Sequence, residues 1–449
     1  MKAISYPLQR ESASPRRFLL MLLPFGLLFF LLGFKVEGLA IFALLLLGFP
    51  EIAFACFSFA GLFKADPRLP QFPVDLTLLF GMLTVMGLVL CHVSKGAEGV
   101  IEPLKKGRGL FFGYLLVTLV LFVGVVYTPS PAYGLDKVLR FATITALGCF
   151  APLLLFQNVR SINLFFYAVL AIASAACIQS FVTDPVGKDP WQYASAFGAE
   201  YLAVGRAAGF AAIAAIALMF SFPGRLSRFV LLVPVFGLNM YGLFFSAARG
   251  PFVAFSSALV LPWLYQLLTA RRKARAMVAT ASVALFFVLF FSVFHNHFYM
   301  FSARMDGLSD AKSTREALLD LSMESVRSSF STALIGVGTG GFRRLAGYGD
   351  DQLGKVDVYT HNVFAEYLCE NGMVGLSAFL VLLFIVAKKA LSLLGDHGRD
   401  SPWIVWICSL VLFTLINALF SGDSNGNREL FTCFGIVYAI DNISRQQTA

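Results

Sequence analysis

Four residues of this sequence have the types and spacing that chemistry on an anionic substrate needs. They are Arg206 in YLAVGRAAGF, Arg249 in FFSAARGPF, Arg315 in KSTREALLDLSMESVRSSF and His361 in YTHNVFAEYLCENGMVG. Each arginine offers a planar fork of donors that can hold a phosphate through two hydrogen bonds at once. A histidine at the start of a helix faces the positive end of the helix dipole, which disfavours imidazolium, and nearby arginines push the same way. Both effects leave a neutral imidazole, the form that accepts a proton. A single arginine at a membrane surface is as well explained as an anchor to headgroups; three with a histidine on one face make a candidate site. Around Arg315, Ser313 and Glu316 form a capping-box pattern. Leu318, Leu319, Met323, Val326 and Phe330 then follow an approximate helical period. The pattern predicts an amphipathic helix with Arg315 in its first turn, where free backbone N–H groups favour an anion.

The elements that must position these residues are membrane-spanning helices. The chain is 58% hydrophobic and only 14% charged, with 48 phenylalanines among 449 residues. Such a chain cannot cover its own surface with polar groups, so lipid is its solvent. Lipid offers backbone groups no hydrogen bonds, which leaves helices or closed barrels. The apolar runs are continuous where barrel strands would alternate. The predicted fold is therefore all-α, a polytopic transmembrane helix bundle forming one integral membrane domain over residues 1–449. Spans are predicted at 18–34, 74–93, 109–127, 137–157, 161–183, 201–222, 226–246, 250–268, 277–295, 361–389, 402–420 and 429–443, about 12 in all. Arg16 and Arg17 precede the first without a small-residue cleavage site after it, so it is expected to stay as a span. Residues 36–63 are too long for one span and too short for two, with Pro50 and Glu51 in the middle, and are expected to form a short hairpin or re-entrant loop.

The positive-inside rule then orients the bundle. With the N-terminus in the cytoplasm, 19 of the 35 basic residues fall on the inner side. Seven of the outer ones lie in a single long loop, 296–360, and long loops carry little weight in that rule. This orientation places Arg206, Arg249, Arg315 and His361 together on the outer side. The net charge of +9 is thus largely topological and gives no reason to expect nucleic acid.

Other chemistry finds little support. The seven cysteines sit in apolar segments without a Cys-x-x-Cys pair, as small buried residues do. His295 and His297 lack a third ligand, so no metal is expected. GVGTGGF at 336–342 fits G-x-G-x-x-G on paper but lacks the strand–turn–helix setting that makes it a nucleotide motif; its glycines suit a close-packed turn. Arg343 and Arg344, just after that turn, are expected in solvent. No cofactor is expected. Two competing classes are a transporter, which would need ionisable residues deep in its spans, and a structural subunit, in which Arg315 and His361 would be dispensable. Of span-interior carboxylates, Glu51 in the hairpin and Glu370 stand out.

The motif set resembles the superfamily of O-antigen ligases and Wzy-type polysaccharide polymerases. HNVFAEYLCENGMVG carries the family's His-Asn, a later Glu and two spaced glycines as His361, Asn362, Glu370, Gly372 and Gly375. GVGTGGF resembles the stretch the family places before that histidine. FSAARG resembles its Ser-Arg-Gly turn, with two alanines between Ser246 and Arg249, and GRAAGF resembles its Arg-x-x-Gly stretch, followed here by Ala211 and Ala212 where Asn-Pro is usual. The resemblance spans roughly residues 200–390. It implies a metal- and nucleotide-independent glycosyltransferase in the inner membrane of a bacterium, with its active site facing the periplasm. The donor would be a glycan on undecaprenyl diphosphate. The acceptor would be a sugar hydroxyl, on lipid A–core in a ligase or on a lipid-linked repeat unit in a polymerase. His361 would be the base, Arg206, Arg249 and Arg315 the diphosphate ligands, and Asn362 and Glu370 supporting residues.

Overall fold

The computed structural model describes residues 35–63, 75–93, 98–183, 196–221, 226–269, 292, 314–352 and 358–448. Among these residues every regular element is helical; Ala196 and Ala199 form one isolated bridge. Eight of the described helices are long and apolar enough to cross a membrane. In chain order the elements are α1 (Lys35–Gly48), α2 (Pro50–Ser58), α3 (Leu76–Val93), α4 (Glu98–Lys106), α5 (Arg108–Val125), α6 (Pro131–Leu155), α7 (Val159–Thr183), α8 (Tyr201–Phe220), α9 (Leu226–Phe245), α10 (Arg249–Thr269), α11 (Thr314–Arg327), α12 (Phe330–Ile335), α13 (Phe342–Leu345), α14 (Val363–His397), α15 (Pro402–Phe420) and α16 (Arg428–Thr448).

The eight match predicted spans closely. The span predicted at 74–93 is the shorter apolar helix α3. The one at 429–443 is α16, which carries Arg428, Glu429, Asp441 and Arg445 and is not among the eight. α16 tolerates those charges because it is enclosed by protein. Phe431, Phe434, Ile436, Val437 and Ala439 are fully buried, and Asp441 pairs with Lys389 of α14 at 2.9 Å and with Arg445 at 3.0 Å. The predicted span 18–34 and, apart from Ser292, the span 277–295, together with His295, His297 and Ser313, lie outside the described residues. The break expected within 36–63 falls between α1 and α2, where Pro50 takes the first helical position and needs no N–H partner.

α8 is the axis of the half that carries the site. Its run AAGFAAIAAIAL is buried except at Ile216, and its small side chains let α7, α9 and α15 approach closely. α14 is broken about a third of the way along its length. Gly372 has φ 63° and ψ −161°, which interrupts the helical ladder within Val363–His397. α6 contains a π-helical stretch at Phe141–Thr145. Such bulges are frequent at functional sites.

The amphipathic helix predicted before the glycine turn is present but shorter than its periodicity suggested. α11 ends at Arg327, and Ser329 starts α12 through a reciprocal capping box with Thr332. Phe330 thus opens a second helix and is 84% exposed, because its new axis turns it off the apolar stripe of α11.

A candidate active site at one end of the bundle

Three close approaches gather the site. Gly205 of α8 packs against Ser246, Ala248 and Pro251 at the start of α10, Gly250 packs against Phe420 at the end of α15, and Gly422 sits against the guanidinium of Arg206. The starts of α8 and α10, the end of α15 and the loop 421–427 therefore share one end. Arg249 opens α10 there, after a turn in which Ala247 has φ 49° and Ser246 Oγ accepts from the Ala248 N–H at 3.3 Å.

Arg206, one turn into α8, has its Nε and Nη2 buried with no hydrogen-bond partner. It lines a small cavity with Thr414, Asn417, Asn427 and Glu429. Glu429, Asp423 and Tyr359 lie near enough to act on it electrostatically, and so does the like charge of Arg315. A buried guanidinium with unused donors is costly unless a partner arrives. Arg315 takes its predicted place in the first turn of α11.

His361 stands just before α14 with φ 56°, a left-handed conformation that non-glycine residues rarely adopt. Such outliers concentrate at functional sites. Its ring packs on Tyr359 with centroids 4.3 Å apart, and its Nδ1 is buried without a partner. Burial first, then the charges of Arg315 and Arg206, push its pKa down to about 4. His361 does not cap the helix; Asn362 does, accepting from the N–H groups of Phe364 at 2.9 Å and Ala365 at 3.1 Å.

Behind His361 lies a charge cluster that sequence reading missed. Lys137 Nζ of α6 lies 2.6 Å from both Glu366 Oε1 and Glu370 Oε2 of α14, with all three side chains only 3% exposed. Glu366 also accepts from the Ser424 N–H at 2.8 Å and from its hydroxyl at 2.9 Å. Asn425 Nδ2 donates to the Lys137 carbonyl, and Thr145 donates to Asn425 Oδ1. Glu370 is therefore no isolated carboxylate but half of an i, i+4 pair on one face of α14 clamped by a lysine. Its spacing from Glu366 was a visible signal.

The glycine turn works as a clamp on the kink of α14. The N–H groups of Val337 and Gly338 donate to the Cys369 and Glu370 carbonyls at 3.0 and 2.8 Å. Those are carbonyls whose helical partners the Gly372 break removes. Thr339 Oγ1 donates to the Leu121 carbonyl and accepts from Asn371, while its N–H bonds the Gly124 carbonyl of α5. Gly336, Gly338, Gly340 and Gly372 all have positive φ. Past the turn the expectation for Arg343 fails: it is 1% exposed, donates to the Gly349 carbonyl and lies over the Tyr133 ring at 5.4 Å, because the turn folds it inward. Arg344 is exposed as expected.

Residues 234–380 match the O-antigen ligase family model. The motif resemblance is thus shown, and the chain is O-antigen ligase-like over this segment. The segment runs from α9 to the middle of α14 and holds Arg249, Arg315, His361, Asn362, Glu366, Glu370 and the glycine turn. Arg206, Lys137 and the loop 421–427 lie outside it and are brought to it by folding. No curated protein matches the chain. Among the described residues no three His, Cys, Asp or Glu side chains are grouped as metal ligands.

Proposed function

We propose that this O-antigen ligase-like protein is a membrane glycosyltransferase that moves a glycan from an undecaprenyl-diphosphate donor to a sugar hydroxyl at the periplasmic rim of the bundle. The observation that carries the reading is His361: an imidazole with an unpartnered buried Nδ1, set beside Arg206 and Arg315 at the mouth of the bundle. In the proposed step the acceptor hydroxyl attacks the anomeric carbon and passes its proton to His361. The bond from that carbon to the diphosphate breaks, and undecaprenyl diphosphate leaves with the electron pair. Arg206, Arg249 and Arg315 stabilise the charge on the departing diphosphate through preorganised donors. Direct displacement inverts the anomeric centre. The new imidazolium, close to two guanidinium groups, readily gives its proton back to the departing phosphate or to water. Asn362 and the Glu366–Glu370 pair hold the helix that His361 precedes.

The test is purified protein with a lipid-linked repeat unit, with and without lipid A–core, and products sized on a gel. Product on lipid A–core marks a ligase, and a ladder of lengths without it marks a polymerase. Activity is expected to persist in excess EDTA and without ATP, and His361→Ala is expected to abolish transfer while leaving insertion intact. Near-normal product from His361→Ala overturns the base assignment.

A second reading has one observation in its favour. Lys137, Glu366 and Glu370 are ionisable groups buried within spans, which is where a lipid-linked glycan transporter keeps coupling residues. Transport of labelled lipid-linked glycan across vesicles, surviving His361→Ala but not Glu370→Gln, would favour that reading over the enzyme.

A further inference from the structure

The buried cluster joins parts of the chain that share no sequence neighbourhood. Glu366 sits five residues beyond His361, in the first turns of the helix that His361 precedes. Its carboxylate receives Lys137 on one side and both donors of Ser424 on the other. Ser424 belongs to the loop 421–427, in which Gly422 packs on the Arg206 guanidinium, Asn427 lines the cavity beside it and Asp423 acts on its charge. The loop has an internal frame of its own: Asp423 Oδ1 accepts from the Gly426 N–H at 2.6 Å, and Asn427 Nδ2 donates to the Ser421 and Asp423 carbonyls. It is anchored to the rest of the site through Ser424 on Glu366 and Asn425 on the Lys137 carbonyl. On the far side, Glu370 holds Lys137 through its carboxylate and receives the glycine turn through its carbonyl.

We propose that Lys137, Glu366 and Ser424 are positioning residues of the transfer reaction, fixing loop 421–427 and so the placement of Arg206 relative to His361. This rests on the functional reading above. A charged hub suits the task because one short ionic contact and two hydrogen bonds converge on the Glu366 carboxylate, and Lys137 is shared with Glu370, so a shift of any partner breaks several bonds together. The hub touches no reacting atom; it sets the separation between the proton acceptor and one of the cations meant for the leaving group. A misplacement of about 1 Å in such a constellation costs on the order of 100-fold in rate.

The test uses full-length protein in detergent or nanodiscs and compares Glu366→Gln and Ser424→Ala with the parent. Glu366→Gln keeps the shape but removes the charge; Ser424→Ala removes one hydroxyl and leaves the backbone bond. Both are expected to keep the parent melting midpoint within a few degrees. We expect kcat to fall at least 10-fold in Glu366→Gln and several-fold in Ser424→Ala, with KM for the lipid-linked donor changed less than twofold, a split that general loss of folded protein does not produce. A second arm reads the loop without turnover. Gly426 is exposed, so Gly426→Cys is accessible to a membrane-impermeant maleimide. Its labelling rate is expected to rise at least threefold when Glu366→Gln is added. Parent kcat and KM in a folded Ser424→Ala and a folded Glu366→Gln, or an unchanged labelling rate, overturns the proposal. If Glu366→Gln does not fold, Ser424→Ala in the same kinetic and labelling assays decides it. If the parent protein shows no transfer while the labelling rate still responds, the glycosyltransferase reading fails and the placement of the loop by Glu366 stands.

Discussion

His361 is held neutral by burial and by the charges of Arg315 and Arg206, which push it down to about 4. A lowered pKa means that the ring is unprotonated above pH 4 and is lost as a base only when pH falls through that value. The acid limb of kcat/KM, which reports the free protein, is therefore expected near pH 4. A bound diphosphate neutralises the arginines and relieves their effect on the ring, so the acid limb of kcat should lie at higher pH than that of kcat/KM. Arg315→Ala removes one of the two charges and should move the kcat/KM limb upward, toward the ordinary histidine value of about 6.5. Identical limbs for parent and Arg315→Ala in a pH–rate profile would show that Arg315 does not face the base. The arginines give a separate test. Lysine keeps the charge but loses the fork, and a charge-assisted hydrogen bond contributes about 1.5–3 kcal/mol, or roughly 10- to 100-fold in rate. Arg249→Lys and Arg315→Lys are thus expected to lose at least ~10-fold in polysaccharide output per unit protein, while Arg344→Lys, in solvent, stays near parent. Arg343 does not serve as such a control, since its guanidinium is buried over Tyr133.

At the scale of elements, the kink of α14 and the glycine turn form one joint. A methyl group on Gly372 would overlap the Leu334 backbone, and one on Gly336 would overlap the backbone joining Glu370 to Asn371. Both positions also need positive φ, which adds about 1–3 kcal/mol of strain for any other residue. Gly372→Ala is expected to lower the melting midpoint and the yield of inserted protein strongly. Gly395→Ala, in the same helix with open space around it, should be neutral or slightly stabilising. Equal yields for the two would mean that the joint can open freely. The Asn362 cap is a smaller contributor, worth about 1 kcal/mol against alanine. Its effect belongs to stability, since its side chain is spent on backbone N–H groups.

At the scale of the whole molecule, the site exists because alternating helices return to one end: the starts of α8, α10 and α14, the end of α15 and the start of α16. The opposite end is closed by different contacts, among them Tyr265 donating to the Leu394 carbonyl and Lys389 pairing with Asp441. The positive-inside orientation predicts that the site end faces outward. Cysteines placed at exposed Ser331 and Arg344 should react with an impermeant maleimide on intact spheroplasts, and a cysteine at exposed Arg399 only after permeabilisation. The reverse pattern would put the site in the cytoplasm and remove the periplasmic donor from the proposal.

Much of this was legible in the residues themselves. Continuous apolar runs dictate helices because lipid leaves backbone groups no other partner, and eight predicted spans recur as described helices. Pro50 marked the break between α1 and α2, and the Asn362 side of the His361 motif marked the start of α14. The arginines and His361 stood out as candidates because charge is rare in such a chain. What folding alone decided is pairing. Lys137 and Glu366 are more than two hundred residues apart, and nothing local in the sequence pairs them; the fold makes them one buried contact at 2.6 Å. Arg343 turned inward because the glycine turn reverses the chain, a direction that no local periodicity encodes. The helix of Arg315 stopped at Arg327 because Ser329 satisfies the N–H groups of a new helix better than a continued turn would. Local patterns fix which residues are helical and which are costly to bury; only the tertiary contacts determine which of the costly ones meet.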